Sequence, residues 1–504
     1  MTQRAVLALL VGSLSACTGT LPPLSESDRP LERASAPVES GLWEGLEAVR
    51  TDNWFRLLNT GPEALEWRLR VIDSATDSLD LQTFIWQADA VGSRILERVL
   101  AAADRGVRVR VLLDDAMLAG ADSALFVLDR HPNIEYRIFN PAASRAQNAI
   151  LRELLNTADF ARIDHRMHNK VLIVDDRSAI VGGRNLANEY FGYDPSYNFR
   201  DMEVLAVGPV ASALSTVFDR YWNNPWAYPV ALVAAAPDAA YTLETLRREI
   251  DTLALPYTPE SSAQRQTAWL GAARVGVPGE VHVVADAPAR GDPDALEQAP
   301  VQVADRLRNL VENADTEVII ISAYFIPTPA LDTLIRSIGE QGVELRILTN
   351  SLAANNHAAA HSAYRRHRRT LLEAGALLHE TRALSRDRQR YMAGPVGDRK
   401  LGLHAKVMLV DRTTSFIGSA NFDPRSLRIN TEMGLLIESE AMNRAVRSAL
   451  ETDFERANAW QLLLDGDDLM WISDDRVLRK QPAGSFVERI EDWFFGLLPI
   501  ESEM

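Results

Sequence analysis

The chain has 504 residues, 47% of them apolar, and a formal net charge of −16 from 53 Lys and Arg against 69 Asp and Glu. That length exceeds one ordinary domain and the apolar share supports a large core, so two domains or a two-fold repeat is expected and disorder is not. The acidic balance speaks against a general nucleic-acid binder, and a single cysteine leaves no partner for an intramolecular disulfide.

At the N-terminus Arg4 precedes an apolar run from Ala5 to Leu14, which ends in Leu14-Ser15-Ala16-Cys17. The run is too short to cross a bilayer, whereas a charged start, a short apolar stretch and small residues suit a secretory signal. The LSAC ending resembles a bacterial lipobox: residues 1–16 would be a lipoprotein signal peptide and Cys17 the lipidated first residue, with an ordinary signal peptide as the alternative. Several acyl chains on one cysteine would hold the protein on a membrane without a spanning helix. The location so implied is a bacterial membrane, on the periplasmic side. Thr18 in place of an aspartate favours outer-membrane sorting, but inner and outer membrane stay open. Residues 18–40, rich in Pro, Ser and charge, read as a tether, so 17–41 is lipidated cysteine plus linker.

From about Leu42 two halves can be laid over one another. His168 and His404, Gly106 and Gly342, Asn185 and Asn421, and Phe218 and Phe454 all share one offset of 236 positions. Four landmarks at one spacing indicate a duplicated domain. The first half (42–230) offers a strand at "FRLLNTGP", a helix over about 63–75, the strand "SLDLQTFIW", a helix around 92–105 and the strand "VRVRVLLDD". An Ala- and Pro-rich stretch, 231–278, reads as a helical connector. The second half (279–504) repeats the order with "VHVVADAP", "VADRLRNLVENA", "EVIIISAYFI", a helix near 329–340 and "VELRILTN". Strands alternating with amphipathic helices predict an α/β sandwich in each half.

Only four lysines occur in the chain, and two of them sit in matching stretches, "RMHNKVLIVDDRSAIVGGRN" (166–185) and "GLHAKVMLVDRTTSFIGSAN" (402–421). As a strand, the first places His168, Lys170, Leu172 and Val174 on one face, and both faces turn apolar after Lys170, as in a central strand covered on both sides. Asp175 to Ser178 reads as a tight turn. Pairing Val174 with Ala179 would set Lys170 across from Gly183 and His168 across from Asn185; likewise Lys406 across from Ser419 and His404 across from Asn421. Small residues over a lysine and an amide beside a histidine make a pocket for an anion, and a lysine at a dry sheet edge is costly without an opposite charge.

The duplicated H-x-K-x4-D with its downstream G-[GS]-x-N resembles the two HKD motifs of the phospholipase D superfamily, with His168, Lys170 and Asp175 in one and His404, Lys406 and Asp411 in the other. "HRMHNK", "VGGRN", "FRDMEVLAVGPV" and "FDRYWN" are most similar to its cardiolipin synthase branch, as are "TNSLAANN" (349–356) and the closing "LLPIE". The resemblance implies two pseudo-symmetric phospholipase D-like αβ sandwich domains with one active site at their interface. It implies a phosphatidyltransferase acting on phospholipids, with phosphatidylglycerol as substrate and phosphatidylethanolamine as a candidate second one, and with phospholipase D-type hydrolysis as the alternative. One histidine would attack phosphorus and the other serve as acid and base. His168 is assigned as nucleophile and His404 as acid/base, although pseudo-symmetry permits the reverse. Lys170 and Lys406 would neutralise the phosphoryl oxygens with Asn185 and Asn421 as donors, so that neither metal nor cofactor is called for. In the family, acids placed like Asp201 and Glu432 hydrogen-bond the histidines. Asp175 and Asp411 fit turn formation at least as well as chemistry.

Three weaker features remain. "YRRHRR" (364–369) reads as a solvated helix face or a holder of headgroup phosphate. His165 and Arg166 stand at the entrance to the first motif. "FVERIEDWFFGLLPI", with Trp493 and Phe494, suits either packing on the domain or a membrane interface.

Overall fold

In the computed structural model of the chain, residues 21–24, 41–288 and 302–495 are described. Residues 1–16, Cys17, most of the tether and the closing "LLPIE" lie outside them.

The first half contributes β1 (Trp54–Leu58), β2 (Ser78–Thr83), β3 (Arg108–Asp114), β4 (Ile134–Phe139), β5 (Val171–Val174), β6 (Ser178–Gly182), β7 (Tyr197–Arg200), β8 (Glu203–Val207), β9 (Ala227–Pro229) and β10 (Val277–Pro278). All but β7 form one sheet in the order β10-β1-β8-β6-β5-β2-β3-β4-β9. The second half contributes β11 (Glu280–Ala285), β12 (Glu317–Ser322), β13 (Glu344–Asn350), β14 (Leu377–Thr381), β15 (Lys400–Leu403), β16 (Lys406–Val410), β17 (Thr414–Gly418), β18 (Met433–Glu438), β19 (Ala459–Asp465), β20 (Asp468–Ile472) and β21 (Val477–Leu478). Its sheet runs β11-β18-β17-β16-β12-β13-β14-β19-β20-β21. From β1 and β11 through β9 and β19 the two orders correspond strand for strand, so the duplication seen in the landmarks is a duplication of topology. In each half β2–β3–β4 or β12–β13–β14 are parallel, joined by crossover helices such as Ala90–Asp104 and Pro329–Glu340. Gly106 and Gly342, both at positive φ, end those helices and turn the chain into the next strand.

The His-x-Lys strands are buried on both sides. Along β5, Leu172 and Val174 enter the core of the first half, while Val171 and Ile173 join a cluster that also takes Val407 and Leu409 of β16. That shared cluster presses the two sheets face to face and makes their seam continuous core. The helices Leu243–Leu253 and Ser262–Val275, between the halves, pack on the first: Trp269 stands edge-on between Trp43 and Trp67 at 5.4 Å from each.

The hairpin register differs from the sequence expectation by one residue. Val174 pairs with Ser178 and Val410 with Thr414. Asp175 and Asp176, or Asp411 in the second half, take the left-handed conformation that short aspartate side chains tolerate, which closes the turn one residue earlier. Continuing that register puts Lys170 across from Gly182 and Lys406 across from Gly418, not Gly183 and Ser419.

Candidate active site

Each histidine is placed by the opposite half. Before His404, β15 runs parallel to β7, pairing Leu403 with Arg200, and the amides of His404 and Ala405 both donate to the Arg200 carbonyl. Residue 201 is thereby delivered to His404, and the Asp201 carboxylate lies 2.6 Å from its Nδ1. On the other side an isolated bridge joins Met167 to Thr431, and the His168 amide donates to the Thr431 carbonyl. Glu432 follows, and its two oxygens lie 2.9 and 3.0 Å from His168 Nδ1. The acids therefore pair crosswise, first-half Asp201 with second-half His404 and second-half Glu432 with first-half His168.

All six groups are buried, and burial dominates their electrostatics. It drives the His168 imidazole far below its ordinary pKa and that of His404 down to about 3, with the neighbouring lysines adding to the effect. It also lowers Lys170 to about 7 and Lys406 to about 8. The acids diverge. Burial raises Glu432 to about 7, whereas for Asp201 the same penalty is outweighed by His404 and Lys406, which hold it at about 2. Both imidazoles are thus held neutral by their surroundings. With Nδ1–H donated to a carboxylate, each keeps the lone pair of Nε2 for chemistry. The lysine ammoniums donate to the carbonyls of His168 (2.7 Å) and His404, two residues upstream, which holds them beside the rings. Aromatic walls complete the site. Phe84 stands edge-on to His168 at 5.1 Å and under Lys170 Nζ at 5.5 Å, while Tyr190 and Phe199 flank His404 at 5.0 and 4.9 Å.

Asn185 and Asn421 are both buried; Asn185 accepts from the Ile85 amide at 3.2 Å. The small residues expected over the lysines serve the acids instead. A Cβ on Gly183 would lie 2.5 Å from Asp201, and the Ser419 hydroxyl donates to Glu432. Asp175 and Asp411 are not brought to the histidines. At the far end of its strand, Asp175 accepts from the amides of Thr76, Asp77 and Ser78 and from the indole of Trp43 (2.8 Å). Asp411 accepts from the amides of Asp315, Thr316 and Glu317. Arg166 approaches Asp114 at 3.5 Å, and Asp114 in turn accepts from the Met167 amide at 2.9 Å, steadying the chain just before His168. Within "YRRHRR" burial is divided: Tyr364 and Arg368 are buried on Glu380 and Arg365 pairs with Asp492, while Arg366 is exposed. Sequence reasoning missed the aromatic walls and the crosswise choice of acid. Phe84 was visible only as part of a strand, and no local signal assigns an acid to a histidine 203 or 264 residues away.

Comparison with known proteins agrees with this construction. The family profile described as "Cardiolipin synthase, PLD-like domain" matches residues 69–222 and 307–457, once in each half. Cardiolipin synthase C of Escherichia coli (strain K12) is 35% identical over 459 residues, 87% of this chain and 93% of that protein. Cardiolipin synthase A of Pseudomonas entomophila (strain L48) is 27% identical over 85% of this chain and 75% of its own length. Among solved structures, phosphatidylserine synthase of Haemophilus influenzae Rd KW20 shares the fold, with a TM-score of 0.55 at 17% identity over 81% of this chain and 90% of that one. Matched in both halves and along nearly its whole length, the chain belongs to the phospholipase D-like cardiolipin synthase family.

Proposed function

We propose that the protein is a phosphatidyltransferase that forms cardiolipin from phosphatidylglycerol and a second phospholipid through a phosphohistidine. The crosswise pairing of two buried histidines with two carboxylates, each flanked by a buried lysine, carries this reading. His168 Nε2 attacks phosphorus; the N–P bond forms as the bond to the departing alcohol breaks, and His404 gives that oxygen a proton. His404 then removes the proton from the acceptor hydroxyl, whose oxygen bonds to phosphorus as the N–P bond breaks. Lys170 and Lys406, helped by Asn185 and Asn421, hold the phosphoryl oxygens throughout.

The roles follow from the two acids. An acid catalyst must carry a proton, and Asp201, held ionised, is the better partner for an imidazolium. An anionic phosphodiester facing the lysines cancels part of the charge that keeps His404 neutral, so substrate itself arms the acid. Glu432, pushed up, leaves His168 neutral and nucleophilic. Asp175 and Asp411 are structural. A lipid anchor at Cys17 would hold the site beside a periplasmic membrane surface.

Phosphatidylglycerol vesicles, with and without phosphatidylethanolamine, test the reading by mass spectrometry of the products. Cardiolipin from the wild-type chain, none from His168→Ala and about a hundredth or less from His404→Ala is expected. Phosphatidic acid as sole product would replace transfer by hydrolysis.

A further inference from the structure

Two helices of this protein are inside out. In Phe486–Phe495 Asp492, fully buried, pairs inward with His361 at 2.8 Å and Arg365 at 2.9 Å, and Glu488 meets Lys400 at 3.3 Å, while Arg489 and Glu491 are exposed. The apolar side faces solvent, with Phe486 76% and Trp493 60% exposed and Val487, Ile490 and Phe494 beside them. In Ala149–Leu155, Arg152 is buried on Asp115, while Ile150 (78% exposed), Leu151 and Leu154 point out, near an exposed Met117. A surface helix ordinarily does the reverse, and exposed apolar patches mark a partner.

Both helices are pinned to the elements that deliver the histidines. Asp115 follows Asp114, which holds the Met167 amide beside His168, and Lys400 begins the strand that leads to His404. His361 lies on the helix that follows the end of β13. One inverted helix therefore stands at the site end of each half.

We propose that Ala149–Leu155 and Phe486–Phe495 seat the active site on the interfacial layer of a phospholipid surface. The proposal rests on the reading of the substrates as phospholipids. Two-chain lipids reside in such surfaces and not free in water, so a site that draws both donor and acceptor from one leaflet works best when its mouth is held there. Attachment is by apolar insertion, because outward Arg489 and Glu491 offset one another, and Glu153 and the net charge of −16 offer anionic lipid no electrostatic attraction.

The test uses the full chain carrying Cys17→Ala, so that no acyl anchor forms, and vesicles of phosphatidylglycerol mixed with phosphatidylethanolamine. Sedimentation should show binding that survives about 1 M salt, as apolar attachment does and screened charge does not. Trp493→Ser with Phe494→Ser, and Ile150→Ser with Leu154→Ser, should each weaken it, and all four together by about tenfold or more. Val275→Ser and Val477→Ser, exposed elsewhere, serve as controls and should change nothing. Turnover of vesicle lipid should fall with binding, while turnover of a short-chain, monomeric phosphatidylglycerol stays as in the Cys17→Ala chain. Equal binding by the fourfold variant, binding abolished by salt, or a dimer that the substitutions merely dissociate would each overturn the proposal. Binding without any product from either substrate would instead sink the reading of the activity and leave the docking surface standing.

Discussion

His168 and His404 occupy equivalent positions in the two halves, yet they are held differently. Glu432 lies eleven positions after Asn421, and Asp201 sixteen after Asn185. The longer segment supplies β7, so His404 is delivered by a ladder of four residue pairs where His168 has one isolated bridge. At the position before the alanine or arginine that leads to each asparagine, Gly183 leaves room for Asp201 to come close, while Ser419 adds a hydroxyl that shares Glu432. A duplicated scaffold has thus made one tight pair with an ionised carboxylate and one looser pair with a carboxylate near its titration point. Symmetry supplies the two imidazoles, and local departures from it make their surroundings differ.

The sharpest way to break this comparison is to remove each histidine against a substrate that needs no acid. With natural lipid, His168→Ala should abolish transfer and His404→Ala should cost roughly a hundredfold to ten-thousandfold. With a phosphodiester whose leaving group is a nitrophenol, His404→Ala should still release one equivalent of nitrophenolate and stall with the remaining alkylphosphoryl group on His168, detectable by intact mass. His168→Ala should give no burst. A burst from His168→Ala with none from His404→Ala reverses the roles.

A second, smaller contrast lies in the acids. Asp201→Asn removes a full charge from beside the imidazole that must become cationic and can hold the wrong tautomer, so a loss of about a thousandfold in kcat is expected. Glu432→Gln replaces a group already near half-protonated at neutral pH and should cost only about tenfold. Measured kcat values in the opposite order would remove the basis for assigning roles from the acids.

Much of this was legible in the sequence because duplication is a strong signal. His, Lys and Asn at one offset announced two domains and one site, and Asp201 and Glu432 stood out after each motif. What failed was local geometry. The extrapolated register slipped because positive φ at Asp175, Asp176 and Asp411 shortens the turn, and that conformation depends on the carboxylates finding amide partners about a hundred residues away. The crosswise pairing was invisible for a related reason: it is set by sheet-to-sheet docking, which leaves no periodicity. The inverted helix at the C-terminus showed its aromatic residues plainly, but only the buried partners of Asp492 decide which side of it faces out.

The lysines sharpen the comparison in a third way, through pH. Both are lowered by burial, Lys170 to about 7 and Lys406 to about 8, and an anion bound between them favours their charged forms. Binding must therefore take up protons, and affinity must fall as pH rises through 7 and then 8, by up to about tenfold per unit for each lysine that has lost its proton. A dialkyl phosphate, whose own charge is constant over this range, is the suitable probe. Calorimetry in buffers of different ionisation enthalpy should show more proton uptake at pH 8 than at pH 6. Lys406→Arg should flatten the upper part of the profile, because guanidinium does not titrate there. A pH-independent affinity in the wild-type chain contradicts this account.

The smallest effect on activity is expected at the two aspartates that complete the motifs. Asp175 ties the β5–β6 hairpin to the start of β2 by three amides and adds the Trp43 indole, which anchors the helix Gly41–Glu47. Asp411 makes the equivalent ties to the start of β12 with no tryptophan among its bonds. Asp175→Ala should lower stability by about 2 kcal/mol through unpaired amides and a strained turn, and Asp411→Ala by less. Neither should change kcat by more than about twofold once folded protein is counted, because the strand between each aspartate and its lysine is locked in core on both faces. Thermal unfolding and kcat measured on the same preparations separate the two roles. A large loss of kcat at unchanged melting temperature would place these carboxylates in the chemistry, and the distance built into β5 and β16 argues against that outcome.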